Sequence, residues 1–374
     1  MNIYLDNAAT SYPKAPGLGK VTADFIDNYG GNFGRDAAYG IEAIVSEARK
    51  RVLKLFHASE QYSTVFTSGA TSAINVLLRG LLKSGDHVVT SSMEHHAVMR
   101  TLIDLKTNEN VNFTAVKGDE EGNIKASDIE LAINSRTKLI IVTHASNVCG
   151  TILPVNEISD IAKKYNIYFA LDSAQTAGIL DIYADKMDCV IFAGHKGIMG
   201  PQGVGGFVIG NRLAEELRPA VTGGTGSYSH LYSMPGAIPD KLEAGTLNLP
   251  GIAGINHSLK YISEVGMENI HRHEEKMTSM LLDGLKKFPV TIVGHKNTEC
   301  RVGVVSFTVP YSNNKVLSEC MTEKGIMHRY GLHCAAAAHE TLGTLETGTI
   351  RLSPGYFTSE NDIKKTLEIL DFLV

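Results

Sequence analysis

The chain has 374 residues, of which 43% are hydrophobic and 20% are charged, and its formal net charge is −5. This composition is typical of a globular protein long enough for two domains. The mild negative charge excludes an electrostatic footprint for nucleic acid or for an anionic membrane surface. The sequence contains no apolar stretch of about 18 residues, the length of a membrane-spanning helix, and the first motif begins at Tyr4. We therefore expect no targeting segment, no membrane partner and a cytoplasmic location.

Apolar, β-rich runs alternate with amphipathic helical runs over the first 250 residues. Because this alternation is typical of βα units, it predicts a mainly parallel seven-stranded sheet with helices on both faces. The predicted strands lie near 64–67, 87–91, 112–116, 139–143, 168–171, 189–193 and 204–209.

The pattern changes after Pro250. Helical runs are predicted at 266–287, at 314–324 and from 359, with strands at 290–293 and 302–309. We therefore predict a large α/β domain formed by residues 15–250. A smaller α+β domain would combine residues 1–14 with residues 251–374.

The segment 63–71 leads from a predicted strand into a glycine turn, and a helical pattern begins at Ala70. A helix that starts there directs free N–H groups and the positive end of its dipole at a bound anion. The hydroxyls of Thr71 and Ser72 would add donors. The alternative is an ordinary Ser/Thr helix cap.

Lys196 and Asp172 each follow or end a short apolar strand. Burial disfavours the charged form of a lysine and makes its amine a better nucleophile. Ligands of open α/β sheets bind at the carboxyl ends of the strands, so the two residues would face one pocket. A lysine for a Schiff base and an aspartate for a pyridinium nitrogen are the groups that pyridoxal phosphate (PLP) requires. Taken singly, the lysine could instead reach solvent and the aspartate could cap a helix or bind a metal.

Seven motifs then match one family in order along the whole chain. They are YLDNAAT at 4–10, FTSGAT at 66–71, EHHA at 94–97, SNVCG at 146–150, LDSAQ at 171–175, GHK at 194–196 and EAGT at 243–246. The chain resembles the class V aminotransferase branch of the fold-type I PLP-dependent transferases, and within it the cysteine desulfurases. The resemblance implies the fold of that group.

The resemblance also implies residues that hold the cofactor. Lys196 would form the Schiff base, and Asp172 would contact the pyridinium nitrogen. The other implied ligands are Gln175 at the phenolic oxygen, His95 stacked on the ring as an acid or base, Asn147 near the phenolic oxygen and the substrate carboxylate, and Ala70, Thr71 and His195 at the phosphate. From the residues alone, His95 could equally be a helix cap and Asn147 a turn residue.

Thr246 is similar to the threonine that reaches the phosphate of the other subunit in this family. The resemblance therefore implies a homodimer whose active sites lie at the subunit interface. One position departs from the family: many relatives have a phosphate-binding serine where this chain has Ala193. Affinity for PLP is expected to be lower unless Thr71 or Ser72 compensates.

The segment 329–335 is similar to the loop that carries the catalytic cysteine in Suf-type desulfurases. Cys334 would attack the sulfur of the substrate and keep it as a persulfide. His333 and nearby cations are expected to favour the thiolate. The alternative is a small buried hydrophobic cysteine, which the alanine run 335–338 would also suit.

Arg351 lies on an apolar strand and needs an anionic partner. Its planar fork matches a carboxylate, and the resemblance implies the carboxylate of an amino-acid substrate. A buried internal salt bridge is the alternative.

Five cysteines, an odd number, are scattered along the chain and form no disulfide framework, which suits a reducing compartment. No metal is expected, because the spacing of His328, His333, Cys334 and His339 matches no common zinc pattern. The predicted function is a PLP-dependent cysteine desulfurase that converts L-cysteine to L-alanine and passes sulfur to an acceptor protein. Selenocysteine lyase, class V transamination and a PLP-binding regulatory protein without turnover are the alternatives.

Overall fold

The structure, a computed structural model, describes residues 2–31, 40–309 and 313–374. The strands are β1 (Ile3–Tyr4), β2 (Tyr62–Thr67), β3 (His87–Ser91), β4 (Asn112–Val116), β5 (Thr137–Thr143), β6 (Tyr168–Asp172), β7 (Cys189–Ala193), β8 (Gly205–Gly210), β9 (Thr291–Val293), β10 (Val305–Thr308), β11 (Ile326–Met327), β12 (Arg329–Gly331) and β13 (Thr349–Leu352). The helices are α1 (Leu18–Asn28), α2 (Ile41–Leu55), α3 (Ala70–Leu81), α4 (His96–Glu109), α5 (Ala126–Leu131), α6 (Val155–Lys164), α7 (Asn211–Glu216), α8 (Leu249–Val265), α9 (Met267–Leu285), α10 (Asn314–Glu323), α11 (Ala336–Thr341) and α12 (Glu360–Leu373).

A seven-stranded sheet forms the larger half of the molecule, in the order β2-β8-β7-β6-β5-β3-β4. Strands β3 to β7 pair in parallel with one another, and β8 runs antiparallel between β7 and β2. The prediction of a mainly parallel seven-stranded sheet is confirmed. The direction of β8 lies outside what the alternation of strand and helix patterns can indicate.

Strand β5 shows why these runs form a covered sheet. Its residues 139–142 are all apolar and fully buried, as expected where helices cover both faces. Successive side chains point to opposite faces, so Ile140 and Val142 pack in the cluster with α2 and α8. Leu139 and Ile141 pack in the cluster with α3 and α4.

The remaining strands form a smaller unit. An antiparallel sheet has the order β12-β13-β10-β9, and β1 pairs in parallel with β11. Ile3 and Leu5 pack there against residues of α9 and α12. The α8 helix, which spans the predicted boundary at residue 250, packs against α1 and α2 of the large unit. The division at 250 stays a prediction.

The helical run predicted at 266–287 is α9 (Met267–Leu285), whereas α8, which begins at Leu249, was not predicted from the sequence. A proline and two glycines near its start have low helix propensity. Pro250 is tolerated because it lies in the first turn, where its missing N–H is not needed. Asn248 caps that turn by accepting a hydrogen bond from Gly251 N at 3.0 Å.

Gly205 of β8 lies between two segments that border the carboxyl edge of the sheet. A β-carbon there would lie 2.7 Å from the carbonyl oxygen of Phe192 and 2.8 Å from the Cα of Gly69. Because real β-carbons do not approach so closely, only glycine fits between β7 and the turn before α3.

Within the described ranges, no helix has both the length and the apolar character needed to cross a bilayer.

Candidate active site

A cavity of about 470 Å³ opens at the carboxyl ends of the parallel strands, where the small unit meets the large sheet. Every residue singled out in the sequence as a site candidate lines this cavity, with the exception of Thr246. These residues are Ala70, Thr71, His95, Asn147, Asp172, Gln175, His195, Lys196, Cys334 and Arg351. The fold therefore gathers residues that lie far apart in the sequence.

Asp172 and Lys196 reach the cavity from neighbouring strands β6 and β7. One oxygen of Asp172 accepts a hydrogen bond from Ala174 N at 2.9 Å, and the residue is only 4% exposed. Burial raises the pKa of Asp172. Burial also lowers the pKa of Lys196 to about 8, against the opposing effect of the Asp172 charge. The lysine is thus closer to its nucleophilic, neutral form than a solvated lysine.

The turn before α3 leaves the first N–H groups of the helix open to an anion. Gly69 precedes the helix, no side chain caps it, and its first turn contains no acidic residue. The alternative of an ordinary Ser/Thr cap is therefore wrong. The first N–H groups of α3 are left for another acceptor. Ser68 and Ser72 hydrogen-bond to each other at 2.6 Å between their hydroxyl oxygens.

His195 lines the same part of the cavity, and its Nδ1 is buried with no hydrogen-bond partner among the described residues. Burial, together with the charges of Lys196 and Lys14, lowers the pKa of His195 to about 4. The imidazole is therefore neutral at physiological pH and has a nitrogen available to a ligand.

His95 is both a helix cap and a cavity residue. Its Nδ1 accepts a hydrogen bond from Ala97 N at 3.0 Å, at the start of α4. Burial lowers the pKa of His95 to about 4. A neutral imidazole that accepts at Nδ1 carries its proton on Nε2. His95 can therefore offer a proton from Nε2.

Arg351 is 2% exposed and combines the two roles left open by the sequence. One terminal nitrogen, Nη2, donates to Asp6 Oδ1 at 2.8 Å, and the other, Nη1, donates to the carbonyl of Asn147 at 2.9 Å. Its Nε has no partner. The arginine thus forms an internal salt bridge and still borders the cavity.

Cys334 lies on a short turn between β12 and α11. Both His333 and Cys334 have positive φ angles, 46° and 59°. The thiol is exposed, so the alternative of a buried hydrophobic cysteine is wrong. Two contacts fix the turn: His96 N donates to the Cys334 carbonyl at 2.7 Å, and Asn147 Nδ2 donates to the His333 carbonyl at 2.6 Å. The alanine run forms α11 and anchors the far side of the turn.

His333 does not supply the positive charge expected from the sequence. Its ring is buried, and its Nε2 lies 2.8 Å from Thr349 Oγ1. Burial lowers the pKa of His333 to about 2, so the imidazole is neutral. The cations that interact electrostatically with Cys334 are Lys196 and Arg351.

Thr246, the remaining site candidate, lies outside the cavity. Thr246 is exposed and borders a neighbouring cavity of about 330 Å³ together with Ser68 and Ser72. Among the described residues, no three His, Cys, Asp or Glu side chains are grouped so that they could hold a metal ion. His328 bonds instead to Ser318, and His339 to Thr344.

The profile of the family described as Aminotransferase class-V matches residues 3–366. The chain belongs to the class V aminotransferase family. A probable cysteine desulfurase of Methanothermobacter thermautotrophicus is 33% identical over 394 residues, covering 99% of this chain and 94% of the relative. The cysteine desulfurase IscS of Clostridium botulinum is 31% identical over 397 residues, covering 100% of this chain and 94% of the relative.

Solved structures agree with this class V assignment. The apo cysteine desulfurase from Thermococcus onnurineus NA1 is 31% identical and superposes with a TM-score of 0.92, covering 100% of this chain and 94% of that one. A NifS-like protein is 26% identical with a TM-score of 0.85, covering 100% of this chain and 99% of that one. The predicted fold-type I architecture is confirmed.

Sequence reasoning on this class V chain missed three polar contributors. Asp6 pairs with Arg351, Arg329 lines the cavity, and Glu94 is fully buried beneath it. Each lies inside a motif that the sequence analysis quoted, so the motif was the available signal. Burial raises the pKa of Glu94 to about 8.

Proposed function

We propose that this chain is a PLP-dependent cysteine desulfurase, which converts L-cysteine to L-alanine and holds the sulfur as a persulfide on Cys334. One observation carries the proposal: an exposed thiol opens into the same cavity as the Lys196–Asp172 pair. The relatives named cysteine desulfurase support it. A class V enzyme that only transfers amino groups would need no thiol at this place.

The residues fit PLP. The uncapped start of α3 and the unpartnered Nδ1 of His195 suit a phosphate. Asp172 suits a protonated ring nitrogen, Gln175 lies at the same wall, and Lys196 suits a covalent link to the aldehyde. PLP, when bound, supplies an electron sink for the substrate's α-carbon.

The residues of this chain then divide the remaining work. Asp172 would keep the ring nitrogen of PLP protonated. Because Asp172 is buried, the attraction between its carboxylate and that nitrogen is stronger than it would be in water. Lys196 gives and takes a proton at its Nζ. Arg351 and Asn147 orient the substrate carboxylate. The hydrogen bond to Asp6 already holds the side chain of Arg351 in place. His95 offers the proton on Nε2.

Cys334 performs the sulfur transfer. Its thiolate attacks the substrate sulfur, so that an S–S bond forms on Cys334 and the substrate C–S bond breaks. The electron pair of the broken bond stays with carbon, which takes a proton and becomes the methyl group of alanine. The exposed position of Cys334 lets an acceptor protein collect the persulfide sulfur.

We further propose that the enzyme is a homodimer in which Thr246 reaches the phosphate bound by the partner subunit. In support, Thr246 is exposed and lies outside its own chain's cavity, so that its hydroxyl is open to a second subunit.

The test is to incubate the purified, PLP-loaded protein with L-cysteine and, separately, with L-selenocysteine, in the presence of dithiothreitol, which reduces the persulfide and releases its sulfur as sulfide, and to measure alanine, sulfide, selenide and keto acid. We expect alanine and sulfur from cysteine in equal amounts. Selenide without sulfide would indicate a selenocysteine lyase, keto acid without alanine a transaminase, and no product a binding protein; each would contradict the proposal.

A further inference from the structure

Lys14 makes three hydrogen bonds at the edge of the site. Its Nζ lies 2.8 Å from the carbonyl oxygen of His195, 3.0 Å from Thr10 Oγ1 and 3.1 Å from Ser11 Oγ. These contacts use all three ammonium protons. No carboxylate in the described ranges pairs with Lys14, so its charge is directed at neutral oxygens rather than at a surface ion pair.

The same carbonyl oxygen receives further donors from the same segment. Thr10 Oγ1 lies 3.0 Å and Ser11 Oγ 3.2 Å from it, and Ser11 N donates to it at 3.0 Å. This carbonyl belongs to the peptide that joins His195 to Lys196. Several donors on residues 10–14 therefore fix the one peptide plane from which both side chains enter the cavity.

The other end of this segment contacts both walls of the cavity. Asp6 forms the salt bridge with Arg351 at 2.8 Å, and the carbonyl of Ala8 accepts a hydrogen bond from Gln175 Nε2 at 3.2 Å. Residues 6–14 thus connect Arg351 of the small unit with the turn at residues 194–200 of the large unit. This turn carries Lys196, and we call it the lysine turn. We call residues 6–14 the N-terminal brace.

We propose that Lys14 is a positioning residue: by holding the carbonyl of His195, it aims His195 and Lys196 into the cavity, and the N-terminal brace links their position to that of Arg351. The expected effect on PLP binding rests on the proposed function, whereas the expected effect on the geometry of the turn does not. Burial lowers the pKa of Lys14 to about 8, as expected for an ammonium that has left bulk water without an anionic partner.

The experiment compares Lys14→Met with Lys14→Arg, and uses Lys241→Met as a matched control. Lys241 is also half-buried, and its ammonium also binds backbone carbonyls, those of Ala214 and Glu215 at 3.0 and 3.3 Å. It does not line the cavity. Hydrogen–deuterium exchange of residues 197–200 is measured on the apo-protein, PLP affinity by absorbance titration, and thermal unfolding as a stability control.

For Lys14→Met we expect roughly tenfold faster exchange at residues 199 and 200, whose N–H groups close the lysine turn, and roughly tenfold weaker PLP binding. Lys14→Arg should restore part of both, and Lys241→Met should match the wild type. Wild-type exchange and affinity in Lys14→Met would overturn the proposal, as would an equal loss in Lys241→Met.

If Lys14→Met does not fold, Thr10→Val tests the same carbonyl, because it removes one hydroxyl donor and keeps the shape. It should speed exchange at the lysine turn, and unchanged exchange would overturn the proposal. Since exchange is measured without cofactor or substrate, a wild type that makes no alanine would refute the desulfurase function and leave this result standing.

Discussion

The two walls of the cavity are built in contrasting ways. On the large sheet, Asp172 lies at a strand end with 4% exposure, and Lys196 follows the neighbouring strand. On the small unit, Cys334 is exposed on a turn whose two central residues have positive φ angles. The contrast suits a division of labour under the proposed function: the groups proposed to contact the cofactor lie at the ends of buried strands, and the group proposed to donate sulfur lies where another molecule can reach it.

Cys334→Ser should have the largest effect. If the exposed wall carries the sulfur transfer, this change should abolish sulfide and persulfide formation from cysteine, while PLP and cysteine still bind because Lys196, Asp172 and Arg351 remain. The free energy of unfolding should change by less than about 0.5 kcal/mol, since the residue is exposed. Product assays, cofactor absorbance and melting temperature measure these three quantities.

Cys300→Ser is the matched control for that change, because Cys300 is also an exposed free cysteine and does not line the cavity. It should keep full turnover. Retained desulfuration in Cys334→Ser would contradict the assigned role. Activity on selenocysteine alone in that variant is compatible with it, because selenium can leave without attack by a thiol.

Asp172→Ala tests the buried wall. Removal of one preorganised charge contact should lower turnover about 100- to 1,000-fold. The accompanying decrease in the free energy of unfolding should be much smaller than the loss of transition-state stabilisation. Asp188→Ala is its control, because burial also raises the pKa of Asp188 and this carboxylate also accepts a backbone hydrogen bond, but it precedes β7 at the opposite end of the sheet. Near-normal turnover in Asp172→Ala would refute the contact with the ring nitrogen.

The pH dependence of cofactor attachment sharpens the same comparison. The neutral amine of Lys196 is the nucleophile, and its pKa in the apo-protein is about 8. The attachment rate should therefore rise about tenfold per pH unit below that value and level off above it. Stopped-flow absorbance after mixing apo-protein with PLP measures the rate. A rate that keeps rising to the ordinary pKa of lysine would show that burial does not act on this amine.

Thr246→Ala should have the smallest effect. Loss of one hydrogen bond to a charged phosphate, worth about 1.5 kcal/mol at the low end of its range, should weaken PLP binding by roughly tenfold, with the dimer intact by analytical ultracentrifugation. Thr322→Ala, which removes an exposed hydroxyl on α10, should leave affinity unchanged. A fully active monomer would refute the dimeric site.

The sequence predicted the sheet well, because buried parallel strands are continuous apolar runs and their carboxyl ends must share an edge. Asp172 and Lys196 followed from that geometry. Sequence reasoning was incomplete where a role depends on neighbours distant in the chain. The neutral state of His333 results from its burial beside Thr349. The salt bridge of Arg351 was left as an alternative, but its partner Asp6, at the other end of the sequence, was not identified. The α8 helix was not predicted, because the proline and two glycines near its start have low helix propensity and tertiary packing overrides it.

Gly205 shows that the geometry of the site also depends on a residue outside the cavity lining. It fills the narrow gap between the strand that leads to Lys196 and the turn that begins α3. A methyl group there would force those two segments apart. In a mutational scan, Gly205→Ala should therefore score as a cofactor-binding defect, although Gly205 is not among the residues that line the cavity. Position 205 is therefore restricted to glycine by the neighbouring backbone, which leaves no space for a side chain.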